Sequence, residues 1–290
     1  MTSALRQSAK RAVPKGLRQP LLHVETYAKR LGTWLSVMKH LRGATAGDVA
    51  RLWMSFLASP ATSARGLGLW RDPLLLRDVA VQVRGVGVFN VRAKSDDIYH
   101  VLPTRERAVF DAIRSILRPG DTFVDAGANI GFYTILGANL VGSRGAVTAV
   151  EMMPDTAARL RHHIAINGLG NVKVIEKALS NSAGDLVAAH VTAGKFGQAT
   201  IIERAEGRTV EVETTTLDLL LKDSSMISLL KMDLEGAERI ALKGGDEVLQ
   251  RVKAVIFEYL SYETEVADFL KDRGFSVRNL DGRNSIATRD

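Results

Sequence analysis

The segment that most constrains this chain is residues 121–134, DTFVDAGANIGFYT. Its residues predict a buried strand over 123–126, a turn that contains Gly127 and Gly131, and an amphipathic helix over 132–140. Glycines let a backbone approach a ligand closely, and the first turn of a helix has unpaired N–H groups. This order of elements is typical of a site that receives a nucleotide-like ligand, and a glycine-rich turn without a ligand is the alternative.

The turn differs from the three-glycine fingerprint of dinucleotide-binding proteins, which disfavours an NAD-dependent oxidoreductase. The strand carries an acid at its end, Asp125, and the turn continues as Gly127-x-Asn129-x-Gly131. A carboxylate at this place would repel a diphosphate, and it suits a ligand that carries positive charge or many hydroxyl groups. S-adenosylmethionine is such a ligand, because it has an ammonium, a sulfonium and a ribose diol but no phosphate.

An acid also ends the next predicted strand. Residues 146–150 form a strand-like run that is followed by Glu151, 26 residues after Asp125 (151 − 125). An acid about 20 residues beyond such a turn is placed to accept hydrogen bonds from ribose hydroxyls. The residues predicted to bind the cofactor S-adenosylmethionine are Asp125, Gly127, Asn129, Gly131 and Glu151.

Four segments stand in the same order as the motifs of one enzyme family. They are residues 125–131, the segment IAINGLGN that contains Asn167, residues 177–184, and residues 230–238, LKMDLEGAE. Together they resemble the FkbM family of S-adenosylmethionine-dependent methyltransferases over about residues 121–277. The most specific element is Lys231-x-Asp233-x-Glu235-Gly236-x-Glu238.

The resemblance implies a fold, a cofactor and a reaction. The implied fold class is α/β, with a doubly wound, mostly parallel Rossmann-like sheet, and repeated strand–helix order points the same way. The implied reaction is O-methylation of a hydroxyl on a sugar, a glycolipid or a secondary metabolite, with S-adenosylmethionine as cofactor. One departure is Met152-Met153 after Glu151, where the family tends to have Glu-Pro.

Two other functions stay open. A nucleic-acid base N-methyltransferase is one, although the Asn/Asp-Pro-Pro-aromatic motif that such enzymes often carry is absent. A non-enzymatic binding or scaffold protein on a relic methyltransferase fold is the other. The retention of Asp125, Glu151 and Asp233 together argues against a non-enzymatic protein of this kind.

Three acids are candidates for the chemistry. Two later strands are expected to bring Asp233 and Glu258 to the edge of the sheet where Asp125 lies. Glu235 is expected in the first turn of the helix after Asp233, where negative charge also favours the helix dipole. If Glu258 lies near Asp233, repulsion raises the pKa of at least one of them and helps it to act as a base. We therefore predict Asp233, Glu235 and Glu258 as catalytic residues; their spacing is not a recognised metal motif, so no metal site is predicted.

Charge is distributed unevenly along the chain and suggests a domain boundary. Residues 1–78 carry 13 Lys/Arg and 4 Asp/Glu, a net of +9, whereas residues 79–290 carry 26 and 28, a net of −2. We predict a basic helical arm over residues 1–78 and a methyltransferase domain over 79–290, with its core at about residues 121–277. The domain opens with a β-hairpin over residues 79–92, which closes the active site or extends the sheet, and residues 186–213 are interpreted as a substrate-side insertion.

Two helices are predicted within the arm. The second begins at Asp48 as N-cap and ends at Pro60. Three roles of the arm stay open: packing on the catalytic domain or on a second subunit, docking on a membrane surface, and binding of nucleic acid. Nucleic-acid binding is disfavoured because no recognised nucleic-acid module accompanies the arm. The first helix is predicted from an apolar seam with 3-4-3-4-3 spacing, formed by Val24, Tyr27, Leu31, Trp34, Met38 and Leu41.

Composition excludes several kinds of site. Because the chain has no cysteine, it has no disulfide framework, no thiolate nucleophile and no thiolate-bound zinc. No apolar run approaches the ~18 residues that span a bilayer, and the polar, basic first twenty residues lack the apolar core of a signal peptide. The predicted location is the cytoplasm, with a peripheral place at the membrane if the arm docks there.

Overall fold

The arm and the hairpin form two helices and a small antiparallel sheet in the computed structural model, which describes residues 15–64, 73–191, 199–202, 208–258 and 264–289. The elements are α1 (Lys15–His40), β1 (Leu41–Gly43), α2 (Ala46–Ala64), β2 (Val79–Val83) and β3 (Gly87–Val91). The sheet order is β1-β2-β3, and Leu41 lies opposite Val83. Strand β1 of the arm therefore pairs with the hairpin across the boundary predicted at residue 78.

The first helix confirms only part of the predicted seam. Trp34 is fully buried and packs on Phe56 of α2, with 5.7 Å between the ring centroids. Val24, however, is 65% exposed, and the helix ends at His40. Leu41 therefore lies outside the helix and begins β1, where pairing with β2 satisfies its backbone.

Helix α2 begins earlier and ends later than predicted. The backbone N–H of Asp48 donates to the Thr45 hydroxyl at 3.2 Å, and that hydroxyl donates to the Asp48 carboxylate at 2.7 Å. Thr45 therefore caps the helix, and Asp48 lies in its first turn. Pro60 lies inside the helix on its exposed side. Proline removes one backbone hydrogen bond, yet the helix continues, and the Thr62 hydroxyl donates to the Ser59 carbonyl at 3.1 Å.

A seven-stranded sheet forms the centre of the protein, with the order β12-β13-β11-β10-β4-β5-β6. Strand β13 is antiparallel to both of its neighbours, and all other pairs are parallel. The predicted fold class, α/β with a doubly wound and mostly parallel sheet, is confirmed. The strands after the hairpin are β4 (Thr122–Ala126), β5 (Ala146–Val150), β6 (Val172–Ile175), β7 (Ala178–Leu179), β8 (Leu186–Val191), β9 (Arg208–Thr215), β10 (Leu229–Met232), β11 (Ala254–Glu258), β12 (Ser276–Asn279) and β13 (Asn284–Thr288).

The order in which strands are added to this sheet reverses between β4 and β10. From β4 the chain adds β5 and β6 on one side and later adds β10 and β11 on the other. In sheets of this kind, ligands bind at the carboxyl ends of the strands at the point of reversal. Asp125, Asp233 and Glu258 lie at or next to the carboxyl ends of β4, β10 and β11, so all three lie at the predicted edge.

The helix that follows the glycine turn is buried along nearly its whole length, so the prediction that it is amphipathic is wrong. Phe132 packs against Phe89 of the hairpin and Phe110 of the preceding helix, each at 6.1 Å between centroids. The hairpin and that helix therefore cover the face that was expected to meet solvent. Within the described residues, no helix is both long and apolar enough to cross a membrane. The remaining helices are α3 (Asp97–His100), α4 (Arg107–Ile116), α5 (Phe132–Val141), α6 (Pro154–Ile166), α7 (Leu217–Leu220), α8 (Glu238–Lys243), α9 (Asp246–Leu249) and α10 (Thr264–Lys271).

The hairpin packs on α5 and α6 and does not extend the large sheet, contrary to one of its two predicted roles. The Asn167 amide exchanges two hydrogen bonds of 2.8 Å with the backbone of Val88. The Asn90 N–H donates to Nε2 of His163 at 3.0 Å, and the opposite ring nitrogen, Nδ1, donates to the Ile130 carbonyl at 2.7 Å. Burial lowers the pKa of His163, so a neutral ring connects the hairpin to the glycine turn.

The predicted insertion contributes β8 and most of β9 to a second small sheet, with the order β7-β9-β8, and β7 precedes the insertion. Strands β8 and β9 are antiparallel, with Leu186 opposite Glu213. Thr200 forms an isolated bridge with His190 of β8. The glycines of this stretch, at positions 194, 197 and 207, lie outside the described residues.

Candidate active site

A cleft opens at the carboxyl ends of β4, β5 and β10. Its empty volume is about 840 Å³, and this value includes open solvent at the entrance. The glycine turn forms one wall of the cleft, and the segment after β10 forms another. None of the hairpin residues 79–91 lines it, so the second predicted role of the hairpin, closing the active site, is also wrong. The polar side chains that line the cleft include His100, Arg105, Asn129, Tyr133, Glu151, Lys177, Lys231, Asp233 and Glu235.

The glycine turn requires glycine at its first position for two reasons. Gly127 has a φ of +79°, and a Cβ atom there would lie 1.9 Å from the carbonyl oxygen of Asp233. The backbones after β4 and β10 are therefore in direct contact. The N–H groups of Gly127 and Ala128 both donate to the Val150 carbonyl, at 3.0 and 2.9 Å, which connects the turn to β5. At Gly131, with a φ of +95°, a Cβ would meet the side chain of Leu160 at 2.5 Å.

Glu151 lies beside the turn, as predicted. One of its carboxylate oxygens accepts from the Asn129 N–H and the other from the Met153 N–H, both at 2.9 Å. Burial raises the pKa of Glu151 to about 7, against the lowering effect of these two donors. A ligand hydroxyl that donated to this carboxylate would favour its ionised form.

Asp125, by contrast, lies behind the cleft and does not line it. Its side chain is fully buried, accepts a hydrogen bond of 2.6 Å from the Thr134 hydroxyl, and lies 3.6 Å from Nζ of Lys231. Burial raises its pKa, while Lys231 and Thr134 oppose that effect. Asp125 is therefore positioned to act on a ligand through Lys231 rather than by direct contact.

Lys231 and Asp233 form the floor of the cleft. Lys231 pairs in register with Asp125 across the sheet, and its Nζ lies 3.4 Å from Oδ2 of Asp233. The ammonium group also lies 5.1 Å from the ring centroid of Tyr133. Burial would lower the pKa of Lys231, but Asp233 and Asp125 raise it.

Asp233 is ionised and reaches the cleft, with 25% of its side chain exposed. Burial would raise the pKa of Asp233, but the positive charges of Lys231 and Arg105 outweigh that effect, so the pKa is lowered. The carboxylate is therefore a strong hydrogen-bond acceptor and a weak base. Of the two acids for which a raised pKa was predicted, Glu258 is the one that has it, and burial is the largest cause.

Glu258 does not line the cleft. Burial raises its pKa to about 7, and repulsion from Asp233 and Glu238 adds to that effect. Phe257 is paired with Met232 of β10. Glu258 follows Phe257 directly, as Asp233 follows Met232, so Glu258 lies close to the segment that carries Asp233. The charge of Asp233 in the cleft therefore affects the ionisation of Glu258.

Glu235 lines the cleft, but it lies in a turn rather than in the first turn of a helix as predicted. Its φ is +54°, and its carbonyl accepts from the Thr200 hydroxyl of the insertion at 3.1 Å. Helix α8 begins at Glu238, whose carboxylate accepts from the N–H groups of Leu234 and Gly236 at 2.6 and 3.0 Å. The left-handed turn is thus held by the carboxylate of Glu238. Among the described residues, no three His, Asp or Glu side chains are grouped to hold a metal ion.

A polar wall beside Asp233 was missed by sequence reasoning. The Tyr133 hydroxyl donates to Glu106 at 3.0 Å, and Arg105 lies 3.5 Å from the other oxygen of Glu106. Arg105 also contacts Nδ1 of His100 at 2.6 Å, and Nε2 of His100 lies 3.1 Å from Asp96. Residues 96–106 form no known motif, so only the tertiary structure brings this wall to the cleft.

Comparisons with known proteins identify the family to which this chain is similar. The model of the methyltransferase FkbM domain matches residues 125–277, just over half of the chain. The methyltransferase sdnD of Sordaria araneosa is 29% identical over 196 residues, an alignment that covers 55% of this chain and 75% of sdnD.

Two solved structures are also similar to this chain. The methyltransferase FkbM of Methylobacillus flagellatus is 14% identical with a TM-score of 0.40, and the match covers 66% of this chain and 53% of that one. A methyltransferase of Streptococcus mutans, solved in complex with SAH, is 12% identical with a TM-score of 0.41. That match covers 62% of this chain and 94% of the other. The family match over residues 125–277 is the decisive finding, and the chain belongs to the FkbM family of S-adenosylmethionine-dependent methyltransferases.

Proposed function

We propose that this methyltransferase methylates a hydroxyl oxygen of a sugar, a glycolipid or a secondary metabolite, and that Asp233 holds the acceptor hydroxyl. The observation that carries the proposal is the state of Asp233. It is ionised, it reaches the cleft, and its backbone lies against Gly127 of the glycine turn. A hydroxyl group can donate a hydrogen bond to such a carboxylate, whereas a substrate group that has no N–H or O–H cannot.

The residues on the other side of the cleft fit S-adenosylmethionine. Gly127 and Asn129 of the turn line the cleft next to the Glu151 carboxylate, which accepts from the Asn129 N–H. Each carboxylate oxygen of Glu151 uses one lone pair on a backbone N–H and retains another for a ribose hydroxyl. Glu151, Asn129 and the glycine turn would hold the cofactor, which supplies a methyl group on a positively charged sulfur.

Asp233 can assist the transfer by alignment. In the transfer a bond forms from the hydroxyl oxygen to the methyl carbon, and the bond from that carbon to sulfur breaks. Holding the hydroxyl in line with the methyl group removes much of the entropic barrier. Lys231 holds the Asp233 carboxylate in place at 3.4 Å, and Arg105 adds positive charge near it.

Asp233 can also receive the proton, although it is a weak base. An alcohol oxygen becomes strongly acidic as it gains the methyl group, so the proton leaves late and a carboxylate of low pKa is sufficient to accept it. The products are then the methyl ether, the demethylated cofactor and a protonated Asp233.

Trideuteromethyl-labelled S-adenosylmethionine tests the reaction directly. The protein is incubated with labelled cofactor and with acceptors that contain hydroxyl, amine or base nitrogen groups. Mass spectrometry should find the labelled methyl group on oxygen of a hydroxyl-bearing acceptor. Label on nitrogen would overturn the proposal, and cofactor binding by calorimetry without transfer to any acceptor in extracts would favour a relic binding protein.

A further inference from the structure

The second helix of the arm exposes apolar side chains on the side that faces away from the core. At 3.6 residues per turn, five exposed residues lie within about 120° of one another around α2. Leu57 is 70% exposed on this side, while Leu52 on the opposite side is buried. The five residues are Trp53, Met54, Leu57, Pro60 and Ala61.

The first helix has a similar stripe. Val24, Ala28, Gly32 and Leu35 are exposed and lie within about 80° of one another around α1. Trp34 and Val37 bury the opposite side of this helix. We call the two exposed stripes, four residues on α1 and five on α2, the arm face. Surface helices of monomeric proteins normally expose polar residues, and an apolar face of this kind indicates an interaction site.

The charges around the arm face identify the kind of partner. Among the described side chains of residues 24–64, the exposed charged residues are all cations, and the acid Asp48 is buried. The whole arm, residues 1–78, carries a net charge of +9. Two copies of the chain joined through this face would bring two such arms together, which opposes association. The exposed cations are Lys29, Lys39, Arg42 and Arg51, of which Arg51 forms an ion pair with Asp48 at 3.1 Å.

We propose that the arm face docks on the surface of an anionic lipid bilayer. Apolar side chains that include a tryptophan enter the boundary between headgroups and acyl chains, and the surrounding cations attract anionic lipids. Neither contribution is large alone, so binding depends on both and weakens as salt screens the charges. The inference concerns where the enzyme works and does not depend on the acceptor proposed above.

Vesicle flotation of the full chain tests this proposal. We expect the protein to float with vesicles of phosphatidylcholine and phosphatidylglycerol, to bind phosphatidylcholine alone at least about tenfold more weakly, and to lose binding as sodium chloride rises. Leu57→Asp should weaken binding to the mixed vesicles at least about tenfold, since it places a charge at the centre of the exposed stripe on α2.

Leu186→Asp is the matched control, because Leu186 is also exposed, at 69% against 70% for Leu57, and lies on β8 outside the arm. It should leave vesicle binding unchanged, and both variants should retain normal cofactor affinity. Absence of binding to the mixed vesicles, or equal losses in the two variants, would overturn the proposal. A dimer in sedimentation that Leu57→Asp converts to a monomer would instead identify the face as a contact between copies.

Discussion

The two halves of the cleft are built in different ways. The half assigned to the cofactor comes from one continuous turn after β4 and from Glu151 at the end of the adjacent strand. The half assigned to the acceptor is assembled from separate segments that contribute His100, Arg105, Tyr133 and Asp233. Backbone shape dominates the first half, and charged side chains dominate the second. Substitutions should therefore affect binding in one half and turnover in the other.

The largest effect is expected at the turn. Gly127→Ala places a methyl group against the Asp233 carbonyl at a φ that L-residues rarely adopt, so the turn must move. We expect affinity for S-adenosylmethionine, measured by calorimetry, to fall by more than about 100-fold.

Gly120→Ala provides the control for this substitution. Gly120 also has a positive φ, +95°, but a Cβ there would meet no atom within 4 Å. It should cost about 1–2 kcal/mol of stability and leave cofactor affinity unchanged. If both variants lost affinity equally, strain in the chain rather than the contact with Asp233 would explain the result.

The acceptor half should respond in turnover. Asp233→Asn retains the size of the side chain but removes the charge that we propose aligns the acceptor hydroxyl and receives its proton. We expect kcat to fall about 100-fold, while cofactor affinity changes less than about threefold. Asp268→Asn, at an exposed position in α10, should change neither quantity. A variant at Asp233 with normal turnover and weak cofactor binding would move this residue into the cofactor half.

Glu151→Gln should have a smaller effect, on binding alone. The amide retains one acceptor oxygen where the carboxylate offers two to backbone N–H groups. We expect at least about a tenfold loss of cofactor affinity, or about 1.4 kcal/mol. Because the pKa of Glu151 is raised to about 7, wild-type affinity should increase as pH rises through about 7, and the variant should lose this dependence. An affinity that does not change with pH in the wild type would remove Glu151 from the ribose site.

The last prediction concerns Glu258 and stability rather than binding or turnover. Its pKa is raised in the folded protein from 4.5 to about 7, so the folded state favours the protonated form. The contribution of Glu258 to stability is present below about 4.5 and is lost as pH rises to about 7. Glu258→Gln should therefore be more stable than the wild type above pH 7, by a difference that grows between these values. Thermal unfolding at several pH values measures it, and parallel curves would contradict the raised pKa.

The cofactor half could be predicted from the sequence because its signals are local. Glycines, an acid and an apolar strand stand within a few residues of one another, and the positions of Gly127, Asn129 and Glu151 at the cleft follow from that pattern. Asp125 shows the limit of such reasoning. The sequence places it at the end of a strand but contains no sign that Lys231 on the neighbouring strand lies between it and the cleft.

The acceptor half could be predicted only in part. Asp233 stands in a recognisable motif, whereas His100 and Arg105 reach the cleft through packing between segments that are far apart in the chain. The conformation of Glu235 depends on a local contact, from the carboxylate of Glu238, and on a tertiary contact, from Thr200 of the insertion. The amphipathic interpretation of α5 failed for the same reason, since the hairpin that covers the helix comes from a distant part of the sequence.

A crystal structure of the protein with S-adenosylhomocysteine tests the division of the cleft most directly. We predict that the ribose hydroxyls donate to Glu151, that the turn at Gly127 to Gly131 contacts the ligand, and that the Asp233 carboxylate remains open to an acceptor. A ligand whose ribose or amino group bound the Asp233 carboxylate, and which made no contact with Glu151, would contradict the account.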